Sequence, residues 1–372
     1  MKSLAPRVTV LMAVYNGERF LRPAIESILN QTFTDYELLI VDDASTDSTP
    51  AVIRSYQDPR IRVIHNERNV GARVSRNLGL QNARGEYVAV LDADDVAYPQ
   101  RLVEQVVFLD AHPEIALLGS AYDSIDECGD RLQTLYQPTE SLIIRWTLLF
   151  RNCIAHSTVM YRREAALQVG GYDPNPAEDF LLWGRMAAVY RLAQVDKVLA
   201  MYRLNAGQLT QLDSRSGVLR QYTVEVVRQN IRACTQEAVT LQIAACLHGS
   251  GGYVENTIMD QAYSVLWKCL RKVIVENTTS RKDRQRLFQV ALTDLLRLAR
   301  QSEAKRLKAL EIAARYALLY TPAQLLSPRF LRFVFQIVLP ARIRSTLARF
   351  LRRVRSSGWI SRIRFIAAGL WG

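Results

Sequence analysis

The sequence predicts an α/β fold with a mainly parallel sheet flanked by helices, followed by an α-helical C-terminal region. Short apolar runs alternate with segments of helical periodicity over the first hundred residues, and each run ends in turn-forming residues. That alternation is typical of βαβ units. A hydrophobic fraction of 49% is enough for an ordinary globular core.

The strands are predicted from continuous apolar, β-branched runs, which are typical of strands buried on both faces. Such runs lie at residues 8–14, 37–41, 62–65 and 86–91. The helices are predicted from apolar residues at helical spacing and from capping residues. They lie at residues 18–30, from Ser45 or Asp47 to Tyr56, and at residues 72–83. Beyond residue 216 the periodicity is helical almost throughout, with breaks near 249–252 and 276–279.

Five aspartates follow two of the predicted strands. These are Asp42, Asp43, Asp92, Asp94 and Asp95. Ligands of parallel sheets bind beyond the carboxyl ends of the strands, and carboxylates gathered there repel one another unless a cation or a ligand donor is present. Mg²⁺ or Mn²⁺ held by one or two carboxylates and by substrate phosphates fits this pattern. The alternative is that these aspartates are turn or helix-capping residues.

Two common nucleotide-binding motifs are absent from the sequence. Residues 13–20 read AVYNGERF, so the first strand is not followed by GxGxxG, and GxxxxGK[ST] occurs nowhere. Dinucleotide-dependent oxidoreductases and P-loop enzymes are therefore disfavoured. What remains is a nucleotide whose diphosphate is held by a metal ion.

The spacing of several motifs closely resembles glycosyltransferase family 2, from about residue 7 to residue 210. The matching segments are residues 13–16, 27–33, 41–47, 69–73, 76–77, 83–87, 91–95, 170–173, 178–179 and 202–203. The resemblance implies a GT-A fold, a nucleoside-diphosphate-sugar donor, a divalent metal ion (Mg²⁺ or Mn²⁺) and inversion at the anomeric carbon.

The resemblance also assigns the donor side of the site. Ala13 and Tyr15 resemble the start of the nucleoside pocket, and Asp43, with Asp42 beside it, resembles the aspartate that recognises uracil. Asp94 is the favoured metal ligand, and Asp92 is a second ligand or a ribose contact. The remaining donor-side candidates, at the nucleotide or phosphate edge and beside the metal or sugar, are Arg73, Arg76, Asn77 and Asp95.

On the acceptor side, Asp179 resembles the catalytic aspartate of the family and Glu178 is the second choice for a general base. Acids that merely favour a helix N-terminus are the alternative for this pair. Trp183 is a candidate for stacking on the acceptor sugar or, equally, a core residue, because it lies four residues after Asp179. His156 either lines the acceptor side or is a packed, hydrogen-bonded histidine.

One departure from the family pattern concerns the metal. Many relatives have a further histidine ligand after the Tyr-Arg pair, whereas residues 204–210 read LNAGQLT in this chain. Asn205 or the donor phosphates are the candidates for that position, so a strict dependence on metal is less firmly implied.

The charge divides the chain into parts with different partners. Residues 1–210 carry 21 Lys and Arg against 26 Asp and Glu, while residues 211–372 carry 27 against 10. We therefore predict a catalytic domain at 1–210, a helical region at 211–320 and a basic amphipathic tail at 321–372. Five cysteines without CxxC spacing indicate neither a disulfide framework nor a zinc site. Neither an export signal nor a spanning helix is expected.

Residues 312–372 contain eleven arginines and neither lysine nor acid, and apolar residues alternate with arginines at helical spacing around Leu347. An apolar face beside a basic face is typical of a helix in an anionic membrane interface. A partner-binding helix and a nucleic-acid site are the alternatives, the latter disfavoured because stacking motifs are absent.

Together these features predict a cytoplasmic enzyme, peripheral on the inner face of the membrane. It would move a sugar, with UDP as the favoured nucleotide, to a saccharide or lipid-linked acceptor in cell-surface polysaccharide synthesis. A nucleotidyltransferase on a related fold and a non-catalytic membrane-associated scaffold are the alternatives. The sequence names neither the sugar nor the linkage.

Overall fold

The computed structural model describes residues 5–174, 176–205, 217–250, 255–277, 280–301, 306–321, 324–325 and 327–338. The chain forms two compact units, Met1–Ala233 and Cys234–Gly372. The predicted domain boundary at residue 210 and most of the predicted basic tail lie outside the described residues.

The first unit is built on one sheet, which has nine strands in the part of the chain that is described. The strands are β1 (Val8–Val14), β2 (Tyr36–Asp42), β3 (Ile61–His65), β4 (Tyr87–Val90), β5 (Val96–Ala97), β6 (Ile115–Ile125), β7 (Arg131–Leu135), β8 (Met160–Arg162) and β9 (Arg191–Arg203). Their order is β3-β2-β1-β4-β8-β6-β9-β5, and β7 pairs with β6. Strands β1 to β4 and the pair β6 and β9 run parallel, whereas β8 is antiparallel to both neighbours.

The helices of the first unit are α1 (Leu21–Leu29), α2 (Thr49–Arg54), α3 (Ala72–Asn82), α4 (Arg101–Ala111), α5 (Ser141–Leu148), α6 (Arg163–Gln168), α7 (Glu178–Val189) and α8 (Val218–Thr235), the last two residues of α8 being assigned to the second unit. Helix α2 begins later than either predicted cap. Asp47 still ends the preceding turn, because its carboxylate accepts hydrogen bonds from the backbone N–H of Thr49 at 2.9 Å and of Glu18 at 3.1 Å.

The core lies on both faces of the central strands. Alternate residues of β1, such as Val10 and Met12, pack with α1 through Ile25 and its neighbours. On the opposite face α3 approaches very closely, since a Cβ added to Gly79 would lie 2.1 Å from Leu11 Cδ1. Each fully buried Val, Leu or Ile contributes roughly 1.5–3 kcal/mol to the free energy of folding. Because helices pack on both faces, the positions of the strands are fixed, and with them the carboxyl edge of the sheet.

The second unit is helical. Its helices are α9 (Leu241–His248), α10 (Asn256–Asn277), α11 (Arg281–Gln301), α12 (Arg306–Tyr320) and α13 (Pro328–Val338). Helices α11, α12 and α13 pack through aromatic rings, among which Phe288 stacks on Tyr316 with centroids 4.8 Å apart. Across the ranges described, none of the helices combines the length and apolarity needed to traverse a bilayer.

Candidate active site

The carboxylates at the end of β2 organise the loops at the edge of the sheet. Asp43 is buried and accepts hydrogen bonds from the Asn66 amide at 2.7 Å and from the backbone N–H groups of Val70 and Gly71 at 3.0 and 2.8 Å. Asp42 accepts from the Ser45 backbone N–H at 3.1 Å. This carboxylate pair therefore shapes the loops that precede α2 and α3. Tyr15 follows β1 with 48% of its surface exposed, and Ala13 pairs with Val41.

Asp92, two residues after the end of β4, lies in a cluster of charged and polar groups. Its carboxylate accepts from Arg76 Nη2 at 2.7 Å and lies 3.1 Å from His156 Nδ1. The Asp92 backbone N–H donates to Ser157 Oγ. Burial alone would raise the pKa of the Asp92 carboxyl, but His156 and Arg76 outweigh it and hold that pKa well below its usual range.

Asp94 and Asp95 have different surroundings. Asp94 Oδ2 accepts a hydrogen bond from Asn205 Nδ2 at 2.8 Å. Asp95 is completely buried and accepts from the backbone N–H of Arg203 at 2.7 Å. Burial, together with Asp94 and Asp92, raises the pKa of Asp95 well above that of an ordinary aspartate. Asp95 therefore anchors the end of β9, while Asp94 is the more accessible carboxylate.

Two arginines of α3 meet the first turn of α7. Arg76 Nη1 donates to Glu178 Oε1, and Arg73 Nε donates to Glu178 Oε2 at 3.2 Å. Arg76 thus joins Glu178 to Asp92. Asn77 binds the protein backbone instead, because its side chain donates to Tyr172 O and accepts from Tyr172 N at 2.8 Å. Its amide fixes the turn at Gly171, where an added Cβ would lie 2.6 Å from Asn77 Oδ1.

Asp179 lies in the first turn of α7. Oδ2 accepts from the Asn152 amide at 2.9 Å, and Oδ1 accepts from the Phe180 backbone N–H at 2.7 Å. Burial and then the neighbouring Glu178 raise the pKa of Asp179 above the usual value. Ala177, just before this pair, has φ of 65°, a left-handed conformation that costs roughly 1–2 kcal/mol for a residue with a side chain.

A buried hydrogen-bonded chain runs from Asp92 into the core. His156 Nε2 lies 3.2 Å from the Tyr172 hydroxyl, which lies 3.2 Å from the Tyr161 hydroxyl. The His156 ring is therefore held between the Asp92 carboxylate at Nδ1 and the Tyr172 hydroxyl at Nε2. Trp183 packs beside these rings and is fully buried. It is therefore a core residue, the second of the two interpretations that the sequence left open, and offers no face to an acceptor.

These groups border one cavity of about 410 Å³, within the range of about 300–1,000 Å³ found for ligand sites. The lining includes Arg73, Arg76, Asp92, His156, Glu178 and Asp179. The structure thus brings Asp92, predicted for the donor side, and Asp179, predicted for the acceptor side, to one cavity. Ala13, Tyr15, Asp42, Asp43, Asn77, Asp94 and Asp95 are not part of this lining.

Several lining residues were not singled out from the sequence, among them Tyr122, Gln137 and Asn152. Asn152 belongs to no recognisable motif. Its role follows only from the fold, which places its amide against Asp179 in the first turn of α7. Tyr172 was part of a recognised motif, but its hydroxyl contact with His156 is long-range.

A family model described as "Glycosyl transferase family 2" matches residues 9–170. The uncharacterized glycosyltransferase MJ1057 of Methanocaldococcus jannaschii is 35% identical over 208 residues, 54% of this chain and 71% of that protein. The chain belongs to glycosyltransferase family 2. The succinoglycan biosynthesis protein ExoO of Rhizobium meliloti is also similar to this glycosyltransferase, with 36% identity over 159 residues, 43% of this chain and 44% of that protein.

The fold of this family 2 enzyme is GT-A. S. aureus TarS 1–349, crystallised in complex with UDP-GlcNAc, superposes with a TM-score of 0.55 at 19% identity and covers 85% of this chain and 92% of that one. The predicted fold class, a mainly parallel α/β sheet followed by helices, is confirmed.

Proposed function

We propose that this glycosyltransferase moves a sugar from a UDP-sugar to a saccharide or lipid-linked acceptor with inversion, and that Asp179 is the general base. The observation that carries the proposal is the shared cavity of Asp92 and Asp179. Direct displacement needs the donor and the base on opposite sides of one anomeric carbon, so the two carboxylates must serve one site. The complex of S. aureus TarS with UDP-GlcNAc supports a UDP-sugar donor.

The surroundings of Asp179 suit a general base. The pKa of Asp179 is raised toward the pH of the cell, and a general base is most effective when its pKa lies near that pH. Asn152 holds Oδ2 from one side and the Phe180 N–H holds Oδ1. The carboxylate of Glu178, the second candidate, is already engaged by the guanidinium groups of Arg73 and Arg76, so we assign it an electrostatic role instead.

The residues present could hold a divalent ion only if the diphosphate of the donor completes its coordination. Among the described residues no group of three or more His, Cys, Asp or Glu side chains could hold a metal ion by itself. Asp94, oriented by Asn205, would supply one carboxylate, and the diphosphate would supply the other oxygens. When bound, Mg²⁺ or Mn²⁺ would neutralise charge that develops on the leaving nucleoside diphosphate.

The biological setting is proposed from relatives and from composition. ExoO is named for succinoglycan biosynthesis, which supports a role in polysaccharide synthesis. The eleven arginines of residues 312–372 support attachment to an anionic membrane surface. Flotation with anionic liposomes, comparing the full chain with a chain that ends at residue 338, tests whether the tail binds the membrane. Equal lipid binding by the two chains would refute attachment through the removed residues.

Asp179→Asn tests the chemistry. The variant keeps the shape and loses the basic oxygen, so transfer is expected to fall roughly 10²–10⁴-fold. Release of UDP from a panel of UDP-sugars with acceptors gives the rate, and binding of UDP measures the donor site separately. Asp173→Asn is a matched control, because Asp173 pairs with Arg185 and does not line the cavity. Transfer by Asp179→Asn at the wild-type rate would remove Asp179 from the mechanism.

A further inference from the structure

The cavity of the active site has a second, uncharged set of lining residues beside the charged groups already described. This set consists of Tyr122 on β6, Gln137 before α5, Tyr202 on β9, and Leu219 and Thr223 on α8. It contains aromatic rings, hydroxyls, one amide and one aliphatic side chain. The charged set, by contrast, comes from α3, the end of β4 and the first turn of α7.

The two tyrosines form a fixed aromatic pair. Their ring centroids are 5.9 Å apart with an interplanar angle of 64°, an edge-to-face arrangement. The Gln137 side chain lies beside the Tyr122 hydroxyl; burial raises the pKa of Tyr122, and Gln137 offsets part of that rise. Leu219 and Thr223 are one helical turn apart, and Thr223 Oγ1 donates to the Leu219 carbonyl at 2.7 Å. The set is therefore partly ordered by its own contacts before any ligand binds.

The chemistry of this set matches a pyranose ring. A pyranose presents an apolar C–H face that packs on an aromatic ring, and its hydroxyls take hydrogen bonds from amides, phenols and other hydroxyls. A carboxylate or phosphate on the acceptor would lose its hydration here without gaining a cation, since none of the five residues is basic. The two arginines of the cavity already contact Glu178 and Asp92.

We infer that Tyr122, Gln137 and Tyr202 form the acceptor subsite, and that the residue bound there is an uncharged pyranoside rather than a uronic acid or a polyol phosphate. The inference rests on the proposed function, because it takes Asp179 on the same cavity as the base that receives the proton of the acceptor hydroxyl. It extends that function by naming the class of acceptor and the side chains that select it.

Binding tests the inference without requiring turnover. Saturation-transfer NMR on the full chain would compare methyl glucopyranosides and galactopyranosides with their uronic acid counterparts. The neutral glycosides are expected to give a saturation-transfer signal with the wild type. In Tyr202→Ala this signal should be lost, or the affinity should fall roughly tenfold, whereas Tyr202→Phe keeps the ring and most of the binding. Tyr136→Ala is the matched control, because Tyr136 is 64% exposed and does not line the cavity.

Turnover separates this inference from the proposed function. The KM for a neutral glycoside is expected to rise in Tyr122→Ala and Tyr202→Ala by a larger factor than the KM for the UDP-sugar, whereas Tyr136→Ala should leave both KM values and the hydrolysis of the UDP-sugar without acceptor unchanged. An enzyme that binds uronic acid or phosphate acceptors better than neutral glycosides, or that binds neutral glycosides unchanged in Tyr202→Ala, would overturn the inference. Absence of any UDP-sugar turnover in wild type would instead count against the proposed function.

Discussion

Arg76→Met should destabilise the first unit, because it leaves two carboxylates without their shared guanidinium. The Arg76 side chain is 12% exposed, and its partners Asp92 and Glu178 are 23% and 10% exposed. Removing one partner of a buried ion pair costs roughly 3–5 kcal/mol, and the residual exposure here favours the lower end, about 3 kcal/mol. In a unit of this size, Met1–Ala233, each kcal/mol lowers Tm by roughly 2–4 °C, so a loss of about 6–12 °C is expected.

Arg73→Met is the matched control for this variant. Arg73 also contacts Glu178, at 3.2 Å, but Glu178 and Asp92 keep Arg76 when Arg73 is removed. A smaller loss, on the order of 1 kcal/mol, is expected. Thermal unfolding followed by circular dichroism and tryptophan fluorescence measures both variants.

A double variant shows whether charge pairing is the cause. Arg76→Met combined with Glu178→Gln should recover part of the lost stability, because one uncompensated charge is gone, with a coupling of about 1 kcal/mol or more. The reasoning is refuted if Arg76→Met melts no lower than Arg73→Met, or if the two losses in the double variant simply add.

Two further outcomes are expected. Glu178→Gln removes a negative charge that raises the pKa of Asp179, so the acidic limb of the kcat/KM profile should move to lower pH; an unmoved or higher limb contradicts this. Tyr172→Phe removes the hydroxyl that orients His156 toward Asp92, so the donor KM should rise roughly 2–12-fold with little change in kcat. Equal loss in KM and kcat would indicate a general structural role.

The sequence is most informative where structure is local. Strands β1 and β2 were predicted within one residue, because continuous apolar runs bounded by turns leave little freedom. The interruption of the parallel order by β8 was not predictable in the same way. Residues Met160–Arg162 pair with β4 and β6 across long stretches of chain, and no local pattern encodes the order of strands.

The site shows the same division. Asp92, Glu178 and Asp179 belong to recognisable motifs and do line one cavity. Trp183 stayed ambiguous because helical spacing places it on the face of Asp179 but does not tell a core face from an exposed one; packing against His156 decides it. Asn152 could not be found from sequence, since its contact with Asp179 joins residues 27 positions apart.

The charges of the cavity bear on how the donor binds. Its described lining carries two guanidinium groups and three carboxylates, and the arginines already neutralise Glu178 and Asp92. The proposed nucleoside-diphosphate donor would therefore enter a site with an excess of negative charge, and the repulsion would have to be offset by a cation that arrives with the donor or by exchange of arginine partners. If Arg76 exchanged its carboxylate partners for the diphosphate, Asp92 or Glu178 would lose its guanidinium partner. The protein would then lose stability for the same reason as in Arg76→Met. A cation that arrives with the donor avoids that loss, which supports the proposed divalent ion between Asp94 and the diphosphate although the described residues contain no cluster of protein ligands.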